Sequence, residues 1–191
     1  MAKHLVLVAG NIGVGKTSLA ERLGQRLGWH VAYESVSDNP YLSDFYTDMK
    51  AWSFHLQVFF LGHRARQHEA LYNMGTSAVI DRSIYEDAHI FARALHEMHN
   101  MTDRDYRAYR ALYELVMAKL PRPDLLIYIE ASVQTLCDRI AMRARDMESG
   151  ITSDYLTLLG RYYDEWIQGF DLCPVLTVPG DDLDFVCYPE H

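Results

Sequence analysis

Residues 6–18 read Val6-Leu7-Val8-Ala9-Gly10-Asn11-Ile12-Gly13-Val14-Gly15-Lys16-Thr17-Ser18. This stretch decides the fold, because an apolar strand, a glycine-rich turn and a helix start follow one another in it. The spacing from Gly10 to Gly15-Lys16-Thr17 fits the G-x-x-x-x-G-K-[ST] phosphate-binding loop. The glycines let backbone N–H groups turn inward, and the next helix directs the positive end of its dipole at the same point. The segment predicts a nucleotide-phosphate site; a glycine-rich turn without a ligand is the alternative.

Two side chains of this loop have the chemistry that bound ATP requires. Lys16 can reach the β- and γ-phosphates, and the Thr17 hydroxyl can hold Mg²⁺. We therefore expect ATP and Mg²⁺ at residues 10–18, from Gly10 to Ser18.

The composition favours one domain over residues 1–191 and restricts its partners. A chain of 191 residues can bury a full core. Its net charge of −8 argues against a nucleic-acid polymer or an anionic membrane as the main partner. No signal peptide and no apolar run long enough to span a bilayer is present. Cys137, Cys173 and Cys187 form neither a metal motif nor a disulfide framework, which favours a reducing cytoplasm.

Strands and helices alternate along the chain, which is typical of a parallel sheet covered by helices on both faces. The apolar runs predict five strands, near residues 5–8, 30–34, 78–81, 125–129 and 175–178. Helical periodicity predicts helices near residues 16–27, 51–73, 86–99, 103–120 and 154–168, and a further one after Ser132. Thr102 is the expected N-cap of the fourth of these helices. Residues 180–185 are expected to form a surface loop.

Acidic residues follow two of the predicted strands, where ligands of such sheets gather. Glu34 ends the second strand, and its carboxylate could accept a proton from a substrate hydroxyl as the phosphate arrives. Asp81 ends the third strand in a position suited to Mg²⁺, and Arg82 follows it directly. The alternatives are a strand-end acid that caps a neighbouring group, for Glu34, and a solvated ion pair, for Asp81 and Arg82.

Three arginines, Arg139, Arg143 and Arg145, mark a polar break before the last long helix. Cations on a lid can neutralise the charge that develops during phosphoryl transfer. A run of arginines is also typical of a solvated helix face, and this alternative stays open.

A second polar group, Gln57, Arg64 and Asp87, stands among apolar and aromatic neighbours. Gln57 and Arg64 are seven residues apart and so share one helical face. Together with Asp87 they could read the polar edge of a nucleobase, or Arg64 and Asp87 could form an ordinary buried ion pair. The histidines show no zinc-ligand spacing, so no transition-metal site is expected.

Four segments in this order resemble the deoxyribonucleoside kinase family, which includes deoxycytidine and deoxyguanosine kinases. The phosphate loop is the first segment, and the second is Trp52-Ser53-Phe54-His55-Leu56-Gln57. The third is Asp81-Arg82-Ser83-Ile84-Tyr85-Glu86-Asp87, and the fourth is Arg139-Ile140-Ala141-Met142-Arg143-Ala144-Arg145 with Glu148 and Tyr155. The resemblance implies an α/β fold of the P-loop NTPase type, with a five-stranded parallel sheet and an arginine-rich lid at about residues 143–150.

The resemblance also implies roles in catalysis for three residues. Glu34 would take the proton from the 5′-hydroxyl of the sugar. Arg82 would steady Glu34 and the transferring phosphate. Asp81 would act with Thr17 on Mg²⁺, although some members of the family use the acid at this position as the proton acceptor.

Further residues would bind the nucleoside. Tyr46 and Glu148 would hold its 3′-hydroxyl, and Gln57, Arg64 and Asp87 would read its base. Arg82 and Glu34 would also contact the substrate.

The resemblance assigns the remaining parts of the chain to the donor and to assembly. Arg143 and Arg145 would close over the donor phosphates, and residues 181–185 would border the donor adenine. The family is usually a homodimer built from helix pairs, for which the helices at 51–73 and 103–120 could serve.

Two departures from the family pattern concern the acceptor. Asp81 stands where many animal members carry Glu, and no tryptophan closely follows Glu34. The compact chain is similar to bacterial purine-preferring members, which favours deoxyadenosine or deoxyguanosine.

The predicted reaction is transfer of the ATP γ-phosphate to the 5′-hydroxyl of a deoxyribonucleoside, in deoxynucleotide salvage. One alternative is a nucleoside monophosphate kinase of the thymidylate type, although Glu34 would repel the phosphate of such an acceptor. A second alternative is a non-catalytic nucleotide-binding regulator.

Overall fold

The computed structural model describes residues 3–33, 39–143, 150–183, 185 and 188. Its centre is one sheet with the strand order β2-β3-β1-β4-β5. The strands are β1 Leu5–Gly10, β2 His30–Ala32, β3 Ala78–Asp81, β4 Leu125–Glu130 and β5 Val175–Pro179. Every neighbouring pair is parallel, which confirms the predicted five-stranded parallel sheet.

The connections between the strands are mostly helical. They are α1 Lys16–Leu27, α2 Leu42–Thr47, α3 Met49–Asn73, α4 Ile84–Glu86, a π-helical turn Asp87–Phe91, α5 Ala92–Glu97, α6 Asp103–Met117, α7 Val133–Arg143 and α8 Ser153–Gln168. The bounds of α1 are those predicted, because Gly28 adopts the left-handed conformation (φ 66°) that ends a helix. The Thr102 hydroxyl caps α6 by accepting the backbone N–H of Asp105 at 3.2 Å, as predicted. No described helix is long and apolar enough to cross a bilayer.

Strand β1 lies in the middle of the sheet, and all six of its residues are buried. Val8 is opposite Asp81 of β3 on one side and Ile127 of β4 on the other. Parallel pairing brings the carboxyl ends of these strands to one edge of the sheet. Asp81 therefore lies beside β1, just before the first glycine of the phosphate loop.

The core lies on both faces of the sheet. Leu7 and Ala9 belong to a cluster that contains Tyr109 of α6, whereas Val8 belongs to a second cluster that contains Ala20 of α1. Successive side chains of a strand point to opposite faces, so this division follows from the strand period. It confirms that helices cover both faces, as the run of apolar residues in β1 predicts.

The prediction of a surface loop over residues 180–185 is wrong for Phe185. Its ring is buried, and its nearest atom is 3.3 Å from the point where a Cβ atom of Gly15 would lie. The Gly180 backbone N–H donates to the carbonyl oxygen of Glu130 and so fixes the turn after β5. The chain thereby returns to the phosphate loop, a contact that depends on the strand order rather than on local sequence.

Candidate active site

The phosphate loop, defined as residues 10–18, leaves β1 through glycines with positive φ. Gly10 has a φ of 147°, and a Cβ atom at this position would lie 2.6 Å from the carbonyl oxygen of Ile129. Only glycine fits so close to β4. The buried Lys16 bends back over the loop, where its Nζ donates to the carbonyl oxygens of Gly10 at 2.7 Å and Asn11 at 2.9 Å. An ammonium group therefore stands against the loop backbone, at the N-terminus of α1.

Thr17 and Asp81 meet at the carboxyl edge of the sheet. The Thr17 hydroxyl donates to Oδ2 of Asp81 at 2.5 Å, and the Asp81 carboxylate is buried. One hydroxyl and one carboxylate next to a phosphate loop are the hard oxygen donors that suit Mg²⁺, which usually binds one or two protein carboxylates together with substrate phosphates. The residues predicted for the metal therefore lie in direct contact and fit that ion.

Arg82 follows Asp81 in an unusual backbone conformation. Its φ is 67°, which places a large side chain in the left-handed region. Its N–H donates to the carbonyl oxygen of Val8 at 3.1 Å, and its guanidinium carbon lies 4.3 Å from the centre of the Phe91 ring. The sharp turn after β3 thus directs the arginine away from the strand and over an aromatic face.

Two of the residues predicted to read a base, Arg64 and Asp87, pair in the protein interior. Arg64 Nε donates to Oδ2 of Asp87 at 2.5 Å, and both side chains are 3% exposed. Arg64 Nη1 also donates to the carbonyl oxygen of Arg82 at 3.2 Å. Gln57 lies on the same buried face of α3, and its Oε1 has no hydrogen-bond partner among the described residues. A buried acceptor without a donor costs about 1–3 kcal/mol, so a ligand group is expected there.

Tyr155 lies near Arg82 and Tyr46. Tyr46 of α2 is half-exposed, whereas Tyr155 of α8 is largely buried. Burial raises the pKa of the Tyr155 hydroxyl to about 12, and the charge of nearby Arg82 opposes that rise. The charge of the Tyr46 side chain contributes to the raised pKa of Tyr155. Tyr46, Tyr155 and Arg82 therefore lie close to one another.

Three predicted site residues, Glu34, Arg145 and Glu148, lie outside the described residues. Arg143, at the end of α7, is exposed. Arg139 lies in α7, where its Nη1 donates to the carbonyl oxygen of Val14 at 3.0 Å and its Nη2 to that of Gly180 at 2.8 Å. Arg139 therefore ties the phosphate loop to the turn after β5.

Glu86 is a residue of this region for which the sequence suggested no role. Its side chain is fully buried, and its carboxylate accepts hydrogen bonds from Ser83, Gly10 and Tyr163. A signal was available, because Ser83 and Glu86 have the S-x-x-E spacing of a capping box, and that box is formed. The contact with Gly10, however, depends on the packing of distant segments.

His89 belongs to the π-helical turn and packs between α6 and α8. The Tyr113 hydroxyl is 3.2 Å from its Nε2, and the ring of Trp166 stacks on it. Burial, and then the charges of Arg110 and Arg93, lower its pKa to about 4. His89 is therefore neutral at pH 7. The described residues contain no cluster of three His, Cys, Asp or Glu side chains that could hold a metal by themselves.

Comparison with known proteins gives a consistent result. The family model for deoxynucleoside kinase matches residues 6–191. The chain is 41% identical over 184 residues to a deoxyadenosine/deoxycytidine kinase of Bacillus subtilis, which covers 95% of this chain and 85% of that protein. It is 39% identical to a deoxyguanosine kinase of the same organism, over 95% of this chain and 88% of that protein.

A solved structure shows the same similarity. The chain superposes on deoxyadenosine kinase from M. mycoides with bound dATP at a TM-score of 0.85 and 28% identity, over 98% of this chain and 95% of that one. The α/β architecture is therefore that of a P-loop NTPase, as the phosphate loop predicts.

Proposed function

The chain belongs to the deoxynucleoside kinase family, and from this premise we propose that it transfers the γ-phosphate of ATP to the 5′-hydroxyl of a deoxyribonucleoside in nucleotide salvage. The observation that carries the proposal is the position of two polar groups around one edge of the sheet. Lys16 and the Thr17–Asp81 pair are suited to donor phosphates, while Gln57 and the Arg64–Asp87 pair offer hydrogen bonds in an apolar setting.

The acceptor is a purine deoxynucleoside, deoxyadenosine or deoxyguanosine. The Oε1 acceptor of Gln57, which has no donor among the described residues, needs one, and the amino or ring N–H groups of a nucleobase supply it. Similar proteins named deoxyadenosine and deoxyguanosine kinase support the purine preference. The same relatives act on nucleosides by name, so neither a thymidylate-type kinase nor a non-catalytic regulator is favoured.

Mg²⁺ would be held by Thr17 and Asp81 together with the phosphates of ATP. When bound, the ion would neutralise negative charge on the phosphates. Lys16 adds a second positive charge at the loop, and the inward-facing N–H groups of residues 10–18 provide further donors. Arg143 and Arg145 complete the donor side in this proposal, and residues 181–185 border the adenine.

Glu34 is our candidate for the group that accepts the proton of the 5′-hydroxyl, and Asp81 is the other candidate. The hydrogen bond from Thr17 supports a metal-binding role for Asp81, which leaves proton transfer to Glu34. Arg82 would steady Glu34 and the moving phosphate. We expect Glu34→Gln to lower kcat by roughly 10²–10⁴-fold, the range of general-base catalysis. An unchanged kcat would transfer the role to Asp81.

Tyr46 and Glu148 would hold the 3′-hydroxyl of the sugar. Support for Tyr46 comes from its proximity to Tyr155, which is itself near Arg82. The Tyr46→Phe variant should therefore raise the KM for the deoxynucleoside while the KM for ATP stays unchanged.

The experiment that tests the function is direct. The purified protein is incubated with ATP, Mg²⁺ and each of the four deoxynucleosides, and the monophosphate and ADP are separated by chromatography. We expect both purine deoxynucleosides to be phosphorylated most rapidly. If none of the four is phosphorylated, the proposal is wrong. Phosphorylation of dTMP alone would indicate the thymidylate-type alternative, and ATP binding without ADP release would indicate a regulator.

We also propose a homodimer in a reducing cytoplasm. Leu112 and Leu115 of α6 are 42% and 65% exposed, which supports an apolar contact surface on this helix. The thiols of Cys137 and Cys173 are free. Light scattering during size-exclusion chromatography should give twice the 22.0 kDa mass of the chain. A monomer at all concentrations would contradict the dimer.

A further inference from the structure

The carboxylate of Glu86 joins the phosphate loop, the turn after β3 and helix α8. Its Oε1 accepts the Gly10 N–H at 3.3 Å and the Tyr163 hydroxyl at 2.7 Å. Its Oε2 accepts the Ser83 N–H at 2.6 Å and the Ser83 hydroxyl at 3.0 Å. Four donors therefore converge on one fully buried side chain.

These contacts are made at the two segments that face the reaction. Gly10 is the first residue of the phosphate loop, and its carbonyl oxygen already accepts the Lys16 ammonium. Its N–H is bound by Glu86, so both polar groups of this glycine are held. Ser83 directly follows Arg82, whose φ of 67° needs support from its surroundings. Glu86 thus fixes the donor loop relative to the Asp81-Arg82 turn.

Tyr163 extends the connection to α8. Burial, followed by the charge of Glu86, raises the pKa of its hydroxyl well above the usual range, so that it keeps its proton and donates. The same helix accepts a second bond from the loop, because Asn11 Nδ2 donates to the carbonyl oxygen of Leu156 at 2.9 Å. The loop is therefore attached to α8 at two points.

We propose that Glu86 is a positioning residue for phosphoryl transfer, and that Tyr163 orients it from α8. The inference rests on the proposed kinase function but concerns side chains that are buried behind the reacting groups. Correct alignment of donor and acceptor accounts for much of the rate in phosphoryl transfer, and a misplacement of about 1 Å can cost roughly 10²-fold. Loss of this carboxylate should consequently lower kcat more than it changes substrate binding.

The chain provides a matched control next to Tyr163. Tyr162 also lies buried in α8, and its hydroxyl donates to a carboxylate that is half-exposed, that of Glu97. Glu97 lies at the end of α5 and also binds Arg161 at 2.7 Å. Neither of these two contacts of Glu97 involves the phosphate loop or Ser83. Tyr163→Phe and Tyr162→Phe therefore remove the same hydroxyl group from the same helix. In the described part of the chain, only the Tyr163 hydroxyl is bonded to Glu86 and, through it, to the phosphate loop.

The test compares both variants and Glu86→Gln with the wild type, by steady-state kinetics with ATP and deoxyadenosine well below the lowest melting temperature. We expect Tyr163→Phe to lower kcat about 3–10-fold and Glu86→Gln about 10–100-fold, with both KM values within about twofold. Tyr162→Phe should lower the melting temperature but keep kcat within about twofold. If Glu86 and Tyr163 only stabilised the fold, all three variants would have lower melting temperatures, and kcat would not fall selectively in Tyr163→Phe and Glu86→Gln.

The outcomes distinguish a failure of the proposed kinase function from a failure of the positioning role of Glu86. A wild type that phosphorylates none of the four deoxynucleosides would contradict the proposed function itself. An active wild type with equal kcat values for Tyr163→Phe and Tyr162→Phe would overturn the positioning role of Glu86. If Glu86→Gln does not fold, the comparison of kcat between Tyr163→Phe and Tyr162→Phe by itself tests the positioning role.

Discussion

The proposed donor side and the proposed nucleoside side of the site are built in different ways. The donor side is one continuous run, residues 10–18, and its lysine is bonded within the same run. The nucleoside side is assembled from Gln57 on α3, Arg82 after β3 and Asp87 in the π-helical turn. A continuous loop can form its geometry from local rules, whereas the second group requires the completed fold. The two sides should therefore respond differently to substitution.

The largest effect is expected on the donor side. Lys16→Met keeps most of the side-chain volume but removes the charge that would face the ATP phosphates. We expect kcat/KM for ATP to fall by roughly 10³–10⁵-fold, because phosphate charge in the transition state would lose a preorganised cation. The measurement is a coupled ADP-release assay.

Lys119→Met, at an exposed position, is the control and should retain wild-type activity. Chemical denaturation should show that Lys16→Met remains folded. A loss in kcat/KM of less than tenfold for Lys16→Met would show that Lys16 does not bind the ATP phosphates.

On the nucleoside side, the next effect should appear first in stability. Arg64→Met leaves the Asp87 carboxylate buried without its ion-pair partner, with both side chains 3% exposed in the native pair. Removal of one partner of a buried pair typically lowers the free energy of unfolding by about 3–5 kcal/mol. Urea denaturation measures this loss.

The double variant Arg64→Met/Asp87→Leu is the informative control. It removes both charges, so it should recover part of the stability that the single variant loses. If the single and double variants unfold at the same urea concentration, the ion pair contributes nothing specific, and the contrast between the two sides is weaker than proposed.

The sequence predicted the geometry of the phosphate loop well because its signals are local. The spacing from Gly10 to Thr17 identified the loop, and the resemblance to deoxynucleoside kinases is confirmed by the family model. The five strands and the exact bounds of α1 followed from apolar runs and from Gly28. The pairing of Arg64 with Asp87 was one of two alternatives, and the structure shows that the ion pair is present.

What the sequence missed depends on contacts between distant segments. Glu86 looks like a helix-capping acid, and its bond to Gly10 spans 76 positions. Phe185 follows an acidic stretch typical of a surface loop, but the strand order brings it against Gly15. Arg139 was grouped with the lid arginines, although it binds the carbonyl oxygens of Val14 and Gly180. Local patterns carry no information about such partners.

Gln57 should show opposite effects on binding and stability. Gln57→Leu removes the proposed base contact, so the KM for deoxyadenosine should rise about 30–100-fold. The same change removes a buried acceptor that has no partner among the described residues, so the free energy of unfolding should stay equal or rise by about 1 kcal/mol.

Ser53→Ala is the control on the same helix, because the Ser53 hydroxyl is bonded to the carbonyl oxygen of Met49. It should change the KM for deoxyadenosine by less than about twofold. An unchanged KM in Gln57→Leu would separate this residue from the nucleoside site.

The smallest expected effect concerns pH. It distinguishes the π-helical turn, which contains His89, from the phosphate loop, because residues 10–18 contain no histidine. His89 has a folded-state pKa of about 4 against an ordinary value of 6.5, because burial and then Arg110 and Arg93 oppose its protonation. The unfolded chain therefore binds the proton first as the pH falls. Stability from this group is complete above pH 6.5 and is lost progressively as the pH falls to about 4. Between about pH 7.5 and 5.0 the loss should be ~2 kcal/mol.

His89→Phe should reduce that pH-dependent loss, because an aromatic ring remains against Trp166 but no longer titrates. Tyr113→Phe removes the hydroxyl beside His89 and keeps the histidine, so it should retain most of the pH dependence. Comparing each variant with itself at the two pH values cancels any constant change in packing energy, and subtracting its loss from that of the wild type cancels the contribution of the other histidines. If all three proteins lose the same unfolding free energy on acidification, a group other than His89 controls the acid sensitivity.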